Sequence, residues 1–198
     1  MPEPELPNPE ELRERSADRF ARGVALVTAL YAVVLAIAAL GGNHAMKEML
    51  LSQQKASDQW AFYQAKVIRE HQYRGQKLRL EGDLLERGPG LKPEARDKLQ
   101  ALLQKFEEEE KRYNVEKKDI EKEAKALEHV RDQYQARDPY FLFAEALLQI
   151  ALVMSSVSIL SKSRGVFAFS LLLAALGVML TLNGYHPFFE LPFLHTDH

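Results

Sequence analysis

Residues 23–46 read GVALVTALYAVVLAIAALGGNHAM, a run of 24 positions with no Asp, Glu, Lys or Arg and His44 as its one imidazole. A hydrocarbon core about 30 Å thick takes about 20 residues of helix, and a helix buried in a water-soluble domain seldom stays uncharged on every side for that length. The first transmembrane helix is therefore placed at residues 23–42. Two further runs of the same kind follow, at 139–160 and at 165–183, the latter built around VFAFSLLLAALGVMLTL. Only SKSR, residues 161–164, separates them, so they form a tight antiparallel helical hairpin.

The rest of the composition is read against these runs. The chain has 198 residues, a formal charge of −2, 46% hydrophobic and 27% charged residues, an average that resembles a soluble domain. The average conceals a segregation: residues 43–138 hold 20 of the 26 Lys and Arg and 19 of the 28 acidic residues. Apolar blocks beside one charged block argue against a soluble enzyme with a single mixed core. The near-neutral balance offers no basic patch for nucleic acid. The absence of cysteine fits a periplasmic face without disulfides, and fits other compartments too.

Orientation follows from Lys and Arg near the ends of the spans, because cytoplasmic flanks retain positive charge. Residues 1–22 carry Arg13, Arg15, Arg19 and Arg22, the 161–164 link carries Lys162 and Arg164, and residues 184–198 carry neither Lys nor Arg. The expected arrangement puts the N-terminal segment and the link in the cytoplasm. The charged block and the C-terminal tail then lie in the periplasm. A cleaved signal peptide is the rival reading of the first span, but its leading segment would run over more than twenty positions and hold six acidic residues.

Within residues 43–138 one cluster breaks the helical pattern: Gly88-Pro89-Gly90 with Pro93 just after, which places a turn at 88–93. The arms on either side are of equal length, 45 residues from Asn43 to Arg87 and from Glu94 to Asp138, each about 65 Å as helix. In the second arm Leu99, Phe106, Tyr113, Ile120, Leu127 and Tyr134 recur every seven residues, the stripe of a narrow coiled coil. The companion seam position falls at Leu102, Glu109, Glu116, Glu123 and Val130. The first arm supplies Met49, Ala56, Trp60, Tyr63 and Val67, then Leu78 and Leu85 after a slip near His71. Antiparallel pairing about the turn predicts Trp60 near Ile120 and Glu121, Val67 near Tyr113, and Leu85 near Ala95 or Arg96. The fold class is all-α, three transmembrane helices with a long extramembrane antiparallel helical hairpin.

The passage GNHAMKEMLLSQQKASDQWAFYQAKVIREH, residues 42–71, contains Lys55, Asp58, Gln59, Trp60, Tyr63, Gln64, Ala65 and Lys66, and Asp138-Pro139-Tyr140 leads into the second span. These residues resemble a bacterial family of three-pass inner-membrane proteins designated only as a domain of unknown function (DUF4337-like). The likeness covers most of the chain. It implies an inner-membrane location and brings no activity, because a shared fold does not carry a function.

Several side chains are candidates for chemistry. Glu145 lies inside the second span, with Gln149 one turn on and Ser156 further along the same face; a carboxylate in a bilayer costs a few kcal/mol and turns toward a bundle interior, a pore or a partner. Glu145, Gln149 and Ser156 thus make either an intramembrane ion site, with the carboxyl protonated when dry, or a shallow polar packing contact. Small residues line two other faces: Ala25, Ala32, Ala36 and Ala39 in the first span, and Ser170, Ala174, Gly177, Thr181 and Gly184 in the third, where backbones can approach closely. Trp60, Tyr63 and Gln64 read as hairpin core, and Glu107 to Glu110 as a solvated face, since consecutive residues point around a helix. His186, His195 and His198 with Asp197 do not make a metal site, because the tail is short and offers no fixed frame. Its Tyr185, Phe188, Phe189 and Phe193 read as an interfacial aromatic anchor. Gly88-Pro89-Gly90 lacks the Lys and Ser or Thr of a phosphate loop, and neither His-Glu-x-x-His nor a nucleophile elbow occurs. No catalytic residue, cofactor or metal is implied.

The expected function is a non-enzymatic oligomeric membrane protein whose periplasmic hairpin acts as a scaffold or binds a protein partner. The alternative is a homo-oligomeric ion channel or proton-coupled transporter with the polar face of the second span along its route. Three thin helices and a narrow stripe give one protomer little to bury, which favours a homo-oligomer.

Overall fold

The computed structural model describes residues 9–186 and Phe188, with side chains from Ala17 onward. Phe189, Phe193, His195, Asp197 and His198, and with them most of the expected aromatic anchor, lie outside the described residues. All regular structure among the described residues is helical: α1 Pro9–Arg87, a 3-10 turn Gly88–Gly90, α2 Pro93–Gln135, α3 Asp138–Ser161 and α4 Arg164–Tyr185. Three helical stretches are long and apolar enough to cross a membrane, one within Ala17–Arg87, one within Pro93–Ser161, and Arg164–Tyr185.

The helix boundaries follow from local chemistry. Pro89 cannot donate to the α1 ladder and is flanked by glycines, so α1 ends at Arg87. The chain resumes at Pro93, whose fixed φ suits a first helical position, and the amides of Ala95 and Arg96 bond to the Lys92 carbonyl at 3.0 and 3.1 Å. Pro139 has no amide to continue the α2 ladder and sits in the first turn of α3, where a missing amide costs nothing. At the close of α3, Lys162 adopts the left-handed conformation at φ 52° and ψ 26°. The amides of Lys162 and Ser163 turn back to the Ile159 and Ser158 carbonyls at 3.3 and 3.2 Å. Ser163 in turn caps α4, its Oγ accepting from the Val166 amide at 3.4 Å.

By its contacts the chain divides into two units, residues 1–48 with 133–198, and residues 49–132. The first packs the leading part of α1 with α3 and α4. Tyr31 and Ala38 of α1 share a buried core with Ala144, Leu148 and Ala151 of α3 and Ala174 of α4, a large ring set among small residues. Ser170, Ala174, Gly177, Thr181 and Gly184 of α4 are all buried. Their small size is needed, because a Cβ on Gly177 would stand 2.7 Å from Leu148 Cγ and one on Gly184 2.8 Å from the Phe141 ring. The Tyr185 hydroxyl donates to the Ile37 carbonyl at 3.1 Å. The alanine face expected for α1 does not make the contact: Ala25, Ala32 and Ala36 are exposed, while Val24, Tyr31, Ala38 and Ala45 are buried. A stripe of alanines approaches closely but has little surface to cover, whereas Tyr31 fills the space the small residues of α3 and α4 leave open.

In the second unit α1 and α2 lie antiparallel, shown by hydrogen bonds and ion pairs from Gln53 to Arg131, Lys66 to Glu116 and Arg74 to Glu110. The slip expected near His71 is absent. The covered side of α1 keeps one seven-residue frame here, Ser52, Gln59, Lys66, Tyr73 and Leu80, with Ala56, Tyr63, Glu70 and Lys77 between its members and Leu84 after the last. Leu78 and Leu85 lie off the seam, 59% and 81% exposed. In α2 the stripe Leu99, Phe106, Tyr113, Ile120, Leu127 and Tyr134 is covered at every position. Its companion is shifted one residue: Leu103, Glu110, Lys117, Ala124 and Arg131 are covered throughout, whereas of the expected set Glu109 and Glu116 are half-buried and Leu102, Glu123 and Val130 are exposed. The paired positions also differ. Trp60 reaches Glu128, seven or eight residues beyond the expected Ile120 and Glu121, and Tyr113 stacks on Tyr73 with Lys66 over its ring. Helical side chains lean toward their own N-terminus by about one position, and in an antiparallel pair the two leans add, so tips meet later in α2 than backbone register gives.

Candidate functional site

The covered seam of the second unit places charge where a coiled coil ordinarily places hydrocarbon. Glu70 is 2% exposed, and its carboxylate accepts from Asn114 Nδ2 at 2.8 Å and from the Lys117 ammonium. Half-buried Glu110 accepts from Arg74 Nε and Lys77 Nζ, both at 2.8 Å. Burial pushes the Glu70 carboxyl up, but the Lys117 and Asn114 hydrogen bonds and the nearby Lys117 and Arg74 charges outweigh it, leaving the group below its ordinary value. Hydrogen bonds from Lys77 and Arg74 hold Glu110 down as well. An open groove of about 500 Å³ runs beside these groups, lined by Glu70, Lys77, Glu107, Glu110, Lys111 and Asn114 with Val115.

Aromatic side chains flank the charged layer. The Tyr73 and Tyr113 rings stack at 5.7 Å with 14° between their planes, and Phe106 lies 6.0 Å from Tyr73. Arg112 sits 4.8 Å over Tyr113 and donates to its hydroxyl at 3.0 Å. Arg69 and then Arg112 draw the Tyr113 hydroxyl below its usual value. Lys66 pairs with Glu116 at 2.5 Å and pulls that carboxyl down too. Trp60 packs edge-on to Tyr63 at 5.4 Å and donates its indole N–H to Glu128 at 2.9 Å. Each of these carboxylates is engaged by a neighbouring donor, and the pairs that cross from α2 to α1 hold the two helices in register.

Glu145, Gln149 and Ser156 fall on one side of α3, four and seven residues apart. Glu145 is half-buried on α3, its Oε1 3.2 Å from where a Cβ on Gly42 would stand. Gln149 and Ser156 are exposed, and the Ser156 hydroxyl donates to the Leu152 carbonyl of its own helix at 3.1 Å. The three do not line the interior of the first unit. The interior polar groups are others: Ser155 hydrogen-bonds Thr28, while Ser158, Ser170 and Thr181 donate to the carbonyls of Ser155, Phe167 and Gly177 at 2.7, 2.8 and 2.8 Å. The Tyr31 hydroxyl is buried without a hydrogen-bond partner among the described residues. No group of three His, Cys, Asp or Glu among the described residues is arranged to hold a metal ion.

The sequence reading missed Glu70, Lys77, Asn114 and Lys117 and took Glu110 for part of a solvated face, whereas its side chain is 12% exposed and paired across the seam. The signal was present in the frame itself: continuing the spacing of Ala56 and Tyr63 gives Glu70 and Lys77, and adding four to Phe106 and Tyr113 gives Glu110 and Lys117.

A family model described as a domain of unknown function matches residues 20–187. No curated protein and no solved structure matches the chain.

Proposed function

Since the chain belongs to that family, the domain of unknown function DUF4337, we propose its role from its own residues: a non-enzymatic, oligomeric membrane scaffold whose helical hairpin binds a protein partner. Three spans, within α1, α3 and α4, anchor it in a bacterial inner membrane. Arg19, Arg22, Lys162 and Arg164 support a cytoplasmic N-terminus and link, with the hairpin of α1 and α2 in the periplasm.

The observation that carries the partner-binding reading is an inversion along α1. Glu70 is 2% exposed in the seam, while Leu85 is 81% exposed, with Phe62, Ile68 and Leu78 also well exposed. A charged seam gains little over hydrocarbon, and apolar side chains in water gain from cover, so the pattern supports a helix pair held by specific ion pairs that offers its apolar side chains to another protein. The test is the mass of the intact complex in detergent. Tyr113→Asp and Ile120→Asp, which put charge in the stripe, should disperse the assembly or open the hairpin, whereas Glu145→Gln should leave it intact. Retained assembly and helicity in both stripe variants would contradict the scaffold.

The second reading is a homo-oligomeric channel or proton-coupled transporter, favoured by Gln149 and Ser156 lying on an exposed side of α3 with Glu145 at its edge. Flux through protein-containing liposomes that Glu145→Ala abolishes, with the oligomer intact, would establish conduction. Silence across ions and voltages would leave the scaffold.

A further inference from the structure

The outward sides of the three apolar helices differ in one respect. The exposed residues of α1 from Gly23 to Leu40 and of α4 from Gly165 to Leu182 are all apolar and need only lipid. On α3 the exposed series Leu142, Ala146, Gln149, Val153, Ser156 and Leu160 alternates steps of four and three, the spacing of a helix–helix seam. Ser156 satisfies its hydroxyl on Leu152, and the primary amide of Gln149 makes no hydrogen bond among the described residues. Gln149 is near the middle of α3, about 17 Å of helix from either end, too deep for its short side chain to reach an interface. Lipid cannot satisfy the two donors and the acceptor of that amide.

We infer that α3 packs against α3 of a second copy of this chain through this stripe, with the two Gln149 amides hydrogen-bonded to each other across a two-fold axis. Copies that share one orientation in a membrane present α3 to α3 in parallel, so a residue on the axis meets its own counterpart. An amide is both donor and acceptor and therefore complements itself, which an ionised carboxylate does not do. Ala146, one turn before, lets the backbones approach. This inference rests on the membrane-spanning oligomer reading and specifies which surface joins the copies.

The chain has no cysteine, so single cysteines report the contact without background. In full-length protein reconstituted in phosphatidylcholine and phosphatidylglycerol vesicles, Gln149→Cys and Val153→Cys should form disulfide-linked dimers under mild oxidation. Leu172→Cys, on the outward side of α4, should not. Gln149→Leu should weaken association about threefold to thirtyfold with helicity unchanged, and Gln149→Asn should retain part of it. Cross-linking at Leu172 but not at 149 or 153, in a complex whose mass remains oligomeric, would overturn the α3 seam and leave the oligomer. A monomeric mass with no cross-link at any position would overturn both.

Discussion

Glu70 shows how much one side chain contributes to the seam of the second unit. It is covered by a single layer of protein on a two-helix pair, so its ion pair with Lys117 is less screened than a surface pair yet far from a deep interior. Glu70→Leu alone strands the Lys117 ammonium, and a loss of about 1–3 kcal/mol is expected in thermal unfolding followed by circular dichroism. Glu70→Leu with Lys117→Leu should recover most of that loss, since hydrocarbon of similar volume replaces a buried pair at little cost. A double variant as weak as the sum of the two singles would contradict the pairing. The same groups set a pH dependence. Glu70 and Glu110 are held below their ordinary value of 4.5 in the folded chain, so the stability they contribute is present above pH 4.5 and is lost as pH falls through their lowered values. Unfolding of the hairpin should shift to lower temperature between pH 6 and pH 3, and Glu70→Gln should flatten that shift. The frame places Glu70 and Glu110 on the seam, but their pairing was not legible in the sequence, because a glutamate at a seam position looks the same as an interruption of the seam.

At the scale of elements, helix breaks are set by local rules and helix faces by what packs against them. Gly88-Pro89-Gly90, Pro93 and Pro139 mark their boundaries through backbone geometry alone, which is why the elbow and the start of α3 could be read directly. Faces depend on partners: the alanine stripe of α1 looked suited to close packing, but Tyr31 on another side fits the small residues of α3 and α4. The glycines divide along the same line. Nothing lies within 4 Å of a Cβ added to Gly75 or Gly82, and no glycine among the described residues has positive φ. Gly75→Ala and Gly82→Ala should each stabilise α1 by about 0.5–1 kcal/mol through a less flexible unfolded chain. Gly177→Leu, which drives a side chain into Leu148, should destabilise the apolar unit by about 1–3 kcal/mol or more. Equal effects at Gly75 and Gly177 in the same melting assay would show that glycine packing in α4 is not what the geometry indicates.

For the molecule as a whole, the sequence separated apolar runs from a charged block because hydropathy and charge are properties of single residues that add along the chain. The seven-residue stripe of α2 was equally visible, since each of its members is apolar or aromatic. The companion position and the pairing were less so: both depend on the direction side chains lean, a property of the assembled helices. The proposed function lies a level further out, in a partner or second copy that would cover Leu78, Leu85 and Gln149. The account requires the hairpin and the α3–α4 link to lie on opposite sides of a membrane. Single cysteines at Glu108 and at Ser163, introduced in the cysteine-free chain and exposed to a membrane-impermeant maleimide, test this directly. Glu108→Cys should label in intact spheroplasts and Ser163→Cys only after lysis, whereas labelling of both in intact spheroplasts, or of both only after lysis, would contradict it.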